Sequence, residues 1–263
     1  MVIRVVIVQP VVHNSFDRNL ERIDVLLGRA GREGPDFVVL PEAWEHSNVF
    51  VARNVLADRV DLVLDVLSRH AVEMNAVVVG GGVVVRRGAS LMNSTPVVGP
   101  DGGLMGWQDK IHLYRSEKQF FTPGREIHVF RHRGIGFGVL ICHDVAFPEL
   151  GRIMALRGAD LLLNPSRMPS PAIQPWHTYL ESRCLENRVA AAAPNTYIAS
   201  ATGNSVIMQP VKVNGSIFQV RRKVLGGGEG LLASDLVFED LRIARRERLA
   251  ERIPSLYQPI VED

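Results

Sequence analysis

The chain opens on a run of β-branched residues, Val2 to Val8, interrupted by Arg4, and this pattern predicts a buried first strand. Behind it Leu20, Ile23, Leu26, Leu27 and Ala30 recur at helical spacing, so Asn19 to Ala30 has one apolar face to bury. The alternation continues with a strand at Phe37 to Leu40, stopped by Pro41, which cannot continue a central ladder. Val60 to Met74 is a second amphipathic helix. Two glycine-punctuated apolar runs, Val77 to Val79 and Val83 to Val85, precede Leu91 to Val98 and the turn PDGG, a series that predicts adjacent antiparallel strands. Ile127 to Arg131 and Ile135 to Ile141 flank a charged turn, and Pro148 to Arg157 reads as a helix with proline at its start. Leu161 to Leu163 is a strand, Gln174 to Asn187 a helix and Val189 to Ala193 a strand. The last third adds a hairpin around Asn214 and Gly215, a strand near Leu231 to Leu236, a helix from Phe238 and an irregular tail from Pro254. Buried strands interleaved with helices predict an α/β fold in which helices cover sheet layers. No linker or internal repeat divides the chain, so one domain is expected over residues 1–263, with the tail, about 254–263, at its end.

At 46% hydrophobic the chain can bury a large core, and a formal charge of +2 gives no electrostatic reason to expect a nucleic-acid partner or an anionic membrane. The one dense cationic run, Arg242 to Arg252, alternates with Ile243, Ala244 and Leu249 and reads as the solvated face of a helix. Two cysteines, Cys142 and Cys184, cannot form a disulfide framework; a reducing cytoplasm is the expected setting. The apolar N-terminus is far shorter than the ~20 residues that span a bilayer and lacks a small-residue cleavage site, so a soluble, unprocessed protein is expected.

Three segments share one design, a β-run that delivers a reactive side chain at its C-terminal end: FVVLPE with Glu42, WQDKIHLY with Lys110 and FGVLICHD with Cys142. A carboxylate, an ammonium and a thiol supply a base, a stabiliser of negative charge and a nucleophile. An unassisted thiol of pKa ~8.5 is only a few per cent ionised at neutral pH, so it needs a base; Glu42 serves if burial raises its proton affinity. Lys110 and the backbone N–H of His143 would face the oxygen or nitrogen on which charge develops.

In this order and spacing the motifs resemble the nitrilase superfamily of carbon–nitrogen hydrolases, from Val5 to about Tyr257. FVVLPEAW is similar to the glutamate segment of that family, DKIHLY to its lysine segment and ICHDVAFPE to its cysteine elbow; SEKQFFTPG resembles the stretch carrying a second glutamate, here Glu117. RCLENRVAAAAPN, GNSVIMQP and SDLVFEDLRIARRE resemble the segments that follow. The resemblance implies a four-layer α-β-β-α sandwich, a catalytic set of Cys142, Glu42 and Lys110 assisted by Glu117, no cofactor, and symmetric assembly into a dimer or larger homo-oligomer through the elbow-side helices. Ile153, Met154 and Leu156 and the tail from Pro254 are the candidate interface. His143 and Phe147, beside the cysteine, are expected to line the substrate pocket. His143 and Ala146 depart from the aromatic and polar residues many relatives carry there, which leaves the mechanism intact and the substrate open. The elbow lacks the Cys-Trp-Glu of true nitrile hydrolysers, so the expected substrate is a small amide, ω-amide or carbamoyl amide more than a nitrile.

Competing readings remain at this stage. Cys142 could be a small core residue, Lys110 solvated surface, Glu42 a loop carboxylate and Glu117 a plain surface glutamate; Cys184, on a helix, reads as packing. A Cys142–His143 dyad is disfavoured because strand neighbours point to opposite faces. The eight histidines show no metal-binding spacing, Gly226 to Gly228 lack the Lys-Ser/Thr of a phosphate loop, and Ser205 lacks the second glycine of a nucleophile elbow. A non-catalytic binding or regulatory homologue would be expected to lose one of Glu42, Lys110 and Cys142, and a thiol-redox enzyme would need Cys184 as its resolving thiol.

Overall fold

The computed structural model describes residues 2–198, 201–215 and 217–257. In the first strand, β1 (Val2–Gln9), successive side chains enter two different cores: Val6 and Val8 join a helix-facing cluster, while Ile3, Val5 and Ile7 join a cluster between two sheets. The same period-2 division runs through β2 (Phe37–Val39) and β3 (Val77–Val79), where Val38 and Val78 face the helices and Phe37, Val39, Val77 and Val79 face the second sheet. These strands are buried on both sides, which is why they read as unbroken apolar runs.

β1, β2 and β3 pair in parallel, and the first sheet is completed by β4 (Val83–Arg87), β5 (Ser90–Val98), β6 (Leu104–Asp109) and, antiparallel to β1, a late strand at Gly230–Val237. β3 and β4 do not pair with each other, as the sequence pattern suggested; both pair antiparallel with β5. The second sheet contains β7 (Phe130–His132), β8 (Ile135–Val139), β9 (Leu161–Leu163) and β10 (Ala190–Ala193), with β8, β9 and β10 parallel. After the short pair β11 (Tyr197–Ile198) and β12 (Ala201–Thr202), the hairpin of β13 (Ser205–Asn214) and β14 (Ile217–Leu225) extends this sheet, and the late strand of the first sheet is β15.

Helices α1 (Phe16–Gly31) and α3 (Val60–Met74) cover the first sheet through Ile23, Leu26, Leu27, Val63 and Leu67. Between them lies α2 (Val49–Ala57). Helices α4 (Pro148–Leu156) and α5 (Ile173–Asn187) cover the second sheet. The layers are therefore α-β-β-α. β8 brings α4 unusually close by alternating glycine with large residues: Ile135, Phe137 and Val139 fill the inter-sheet core, while a Cβ at Gly136 would lie 2.1 Å from the Gly158 carbonyl oxygen. Met154 sits over Gly138 and is fully buried, so it is core material and not part of an outer interface; Leu156 is exposed. Of the C-terminal tail, Pro254–Leu256 forms a 3-10 turn, and residues 258–263 lie outside the described residues.

Helix α6 (Glu239–Ala250) leaves Arg246 and Arg248 exposed but corrects the reading of the arginine run as solvent-facing at two positions. Arg242 and Arg245 turn inward onto Asp160, which is 2% exposed: Nε of Arg242 donates to Oδ1 at 2.9 Å, Nη2 of Arg245 to the same oxygen at 2.6 Å, and the Gly136 N–H to Oδ2 at 3.2 Å. Burial works against this carboxylate, but the bonds from Arg242 and Arg245 outweigh it and hold Asp160 below the usual carboxylate range. Asp160→Asn is expected to destabilise the fold by about 3 kcal/mol, because it strands a buried guanidinium; the contribution of the more exposed Arg242 is discounted. Because the folded-state pKa is depressed, this stability is present above ~pH 3.9 and is lost as pH falls through the folded value. Urea unfolding at pH 7 and at low pH checks both: the gap between parent and variant should close in acid.

Candidate active site

The C-terminal ends of the parallel strands in both sheets point to one place. Beyond β2 the chain turns at Pro41 to Glu42, whose N–H donates to the Ser166 carbonyl across the sheet interface at 3.3 Å, and the Ala43 N–H donates to Gly82 at 2.8 Å. The loop after β3 must pass directly beneath: Gly81 has φ +75° and a Cβ there would sit 1.9 Å from the Pro41 carbonyl oxygen, while one at Gly82 would sit 2.9 Å from Cγ of Glu42. Only glycine fits either position. Lys110 follows β6, and its N–H donates to the Asn93 carbonyl on β5 at 2.8 Å, which places the two side chains together.

Cys142 lies three residues beyond β8, at the start of a 3-10 turn, Cys142–Ala146. Its φ of +49° is the left-handed region that side chains rarely adopt, a conformation that costs about 1–2 kcal/mol. The surroundings impose it. Its N–H donates to the Pro165 carbonyl at 2.8 Å, and Asn164 Nδ2, itself fixed by Trp176 Nε1 donating to Oδ1 at 2.7 Å, donates to the Cys142 carbonyl at 3.3 Å. Asp144 ties the turn to the lysine segment: it accepts from the Ile141 N–H at 3.1 Å and from the His112 N–H at 2.8 Å.

Four of the residues singled out by sequence, Glu42, Lys110, Glu117 and Cys142, line one cavity of about 350 Å³. Oε1 of Glu42 accepts from Lys110 Nζ at 2.8 Å and from Asn93 Nδ2 at 2.9 Å; Lys110 Nζ also donates to Oε1 of Glu117 at 2.8 Å, and the Tyr114 N–H donates to Oε2 of Glu117 at 2.6 Å. The Cys142 thiol lies beside the Glu42 carboxylate and the backbone N–H of Arg167. Lys110 is 1% exposed and Glu42 4% exposed, so neither is surface charge.

Burial sets the electrostatics of this group, and partners decide which way each member goes. For Glu42 burial favours the neutral form, but the Lys110 charge and hydrogen bonds from Lys110, Cys142 and Asn93 prevail and lower its pKa. That corrects the expectation that burial raises the proton affinity of Glu42. Burial also pushes the Cys142 thiol well up, aided by the Glu42 charge against Lys110, and raises Glu117, again with help from Glu42. Lys110 is raised because Glu42, Cys142 and Glu117 together overcome its own burial. The resting site is therefore a neutral thiol beside an ionised carboxylate and an ammonium.

His143 and Phe147, expected in the substrate pocket, lie outside its lining. Phe147 stacks on His112 with centroids 3.5 Å apart, and His143 meets Phe147 and the cavity-lining Tyr114 edge-on at 5.2 and 4.9 Å. Among the lining residues that went unread in the sequence are Asn93, Glu45 and Arg167. Asn93 had a signal, a polar amide in an apolar β-run. Glu45 is fully buried; among the described residues it accepts only the Val84 N–H, at 3.0 Å, and burial pushes its carboxyl up to about 8 against that bond. Cys184 is fully buried within the α5 core.

A thiol, a carboxylate and an ammonium at the strand ends of an α-β-β-α sandwich are the equipment of carbon–nitrogen bond hydrolysis. The model of the carbon-nitrogen hydrolase family matches residues 4–218, and the chain belongs to that family. A nitrilase of Pyrococcus abyssi is 34% identical over 185 residues, covering 66% of this chain and 66% of that protein, so the chain spans about two thirds of its length. An omega-amidase of Danio rerio is 30% identical over 225 residues, covering 79% of this chain and 80% of that protein. The crystal structure of a carbon-nitrogen hydrolase from Helicobacter pylori shares the fold, with a TM-score of 0.88 over 99% of both chains at 21% identity.

Proposed function

We propose that this chain hydrolyses a small amide through a thioester on Cys142, with Glu42 as general base and Lys110 stabilising the developing oxyanion. The observation that carries the reading is the position of Glu42, which accepts from the Lys110 ammonium at 2.8 Å and lies beside the Cys142 thiol in one cavity. Attack forms the S–C bond as the thiol proton passes to Glu42. Charge collecting on the carbonyl oxygen is met by Lys110 and by the backbone N–H of His143. The lowered pKa of Glu42 fits this sequence. Once Lys110 turns part of its charge to the oxyanion, it stabilises the carboxylate less, so the base strengthens as the proton must move.

The proton on Glu42 then goes to the departing nitrogen, the C–N bond breaks, and ammonia or an amine leaves. Water next attacks the thioester, delivering its proton to Glu42, which returns it to the sulfur as the C–S bond breaks and the acid leaves. Glu117, bonded to Lys110 and raised towards protonation, holds the lysine and is close enough to share the proton traffic. No step needs a cofactor. The absence of Cys-Trp-Glu at the elbow and the relative named an omega-amidase support an amide over a nitrile.

The test is intact mass after brief exposure to a panel of amides, carbamoyl amino acids and nitriles, with ammonia release alongside. An acyl increment on Cys142 and none on Cys184 is expected for at least one amide. A panel that releases ammonia without ever loading Cys142 would sink the thioester.

A further inference from the structure

Glu45 follows Glu42 in the segment PEAWE, borders the same cavity and is 0% exposed. Its two oxygens are used unequally. Oε2 accepts the Val84 N–H on β4 at 3.0 Å, whereas Oε1 is buried and has no hydrogen-bond partner among the described residues. Among those residues no cation pairs with the carboxyl either: Lys110 is taken up by Glu42 and Glu117, and the Arg167 guanidinium by the carbonyls of Ala43, His46 and Ser47. Burial therefore prevails over the single Val84 bond and pushes the Glu45 carboxyl up to about 8, so it carries its proton at neutral pH. Because the Val84 N–H needs a lone pair on Oε2, the proton belongs on Oε1. A buried O–H donor without an acceptor costs free energy unless something arrives to accept it.

The reaction limits what can arrive. The scissile carbon must meet the Cys142 sulfur and its oxygen the Lys110 ammonium, which leaves the rest of the cavity to the acyl chain. Much of that wall is apolar, formed by Val49, Phe50, Val83 and Phe121. An ionised group placed there beside an uncharged acid would lack a counter-charge, whereas an ether, hydroxyl or carbonyl oxygen would match the free donor. We infer that Glu45 is a specificity-determining residue whose Oε1–H donates to an uncharged oxygen in the acyl chain of the substrate. This rests on the amide-hydrolase reading above.

The experiment measures kcat/KM for short linear alkyl amides and for the same amides with one methylene replaced by an ether oxygen, at each chain position in turn. It does so in the parent protein, Glu45→Gln and Glu45→Met. At neutral pH one ether should exceed its alkyl counterpart by about 10-fold, the scale of one buried hydrogen bond. Taking the ratio cancels the titrations of Cys142, Glu42 and Glu117, which both substrates share. As pH rises through about 8, Oε1 loses its proton and repels the ether oxygen, so the ratio in the parent should fall away. Glu45→Gln puts an amide N–H where the O–H was and keeps an acceptor for Val84, so it should hold the preference unchanged to ~pH 9.5. Glu45→Met should abolish the preference at every pH. A carboxyl that only anchors Val84 would, on replacement by methionine, lower both substrates together and leave the ratio untouched, which overturns the inference. So does a parent without preference at any chain position, a parent preference that ignores pH, or hydrolysis of other amides and none of this series. If Glu45→Met does not fold, the parent and Glu45→Gln decide through their different pH dependence. If no amide acylates Cys142, the hydrolase reading itself has failed and this one with it.

Discussion

Cys142→Ala is expected to abolish turnover, by about 10⁴-fold or more, while the fold survives. The variant removes one buried sulfur and leaves the Cβ, so the packing loss is small, about 1 kcal/mol. The left-handed backbone is kept because the Pro165 carbonyl and Asn164 hold it from outside the side chain. Alanine at φ +49° carries the same strain as cysteine, so thermal unfolding should shift by only a few degrees. Activity and stability are thereby separated. The measurement is ammonia release together with a thermal melt: an intact protein that still turns over would remove Cys142 from the centre of the chemistry. Cys184→Ala is the control, since that thiol is sealed in the α5 core and should cost stability without touching the reaction.

What the sequence disclosed follows from which forces are local. The helix at Val60–Met74 was readable to the residue, because its apolar stripe and the left-handed Asn75 that closes it are both near neighbours in the chain. Helix α2 was not, because VFVARNVLA carries apolar residues on every side and buries only Leu56 and Ala57; nothing periodic marks its inner face. Strand β6 was read only from Trp107, in WQDKIHLY, and its start was missed for a related reason: Leu104 and Met105 are exposed, and that end exists by pairing with β5. The reactive side chains were legible as types at strand ends. Their balance was not, since the lowered pKa of Glu42 depends on Lys110, 68 positions away, and on Asn93. The cysteine elbow shows the same limit. His143 is held by a turn and an aromatic cluster, not by the strand alternation the sequence suggested, and Arg167 gains meaning only from the carbonyls it meets across the interface.

The charge arrangement yields an expectation that sets Glu42 and Lys110 apart although both are needed for hydrolysis. Glu42→Gln keeps the shape but cannot take the thiol proton, and loss of a general base is typically worth ~10²–10⁴-fold. Lys110→Met removes the charge facing the oxyanion, commonly ~10²–10³-fold, and because both act on one transition state the double variant should lose far less than the product. The Cys142 titration should move in opposite directions. In the parent, burial and the Glu42 charge hold the thiol up while Lys110 pulls it down. Removing the Glu42 charge takes away the larger of the two carboxylate pulls against the ammonium, so the thiol of Glu42→Gln should ionise at lower pH than in the parent. Removing the ammonium takes away the counter-pull, so the thiol of Lys110→Met should ionise at higher pH. The sign can be read from thiolate absorbance near ~240 nm as pH is raised, with Cys142→Ala as the blank. Two inactive variants whose thiols shift the same way, or not at all, would show that Glu42 and Lys110 do not act on the sulfur, and the division of labour between base and oxyanion partner would fall.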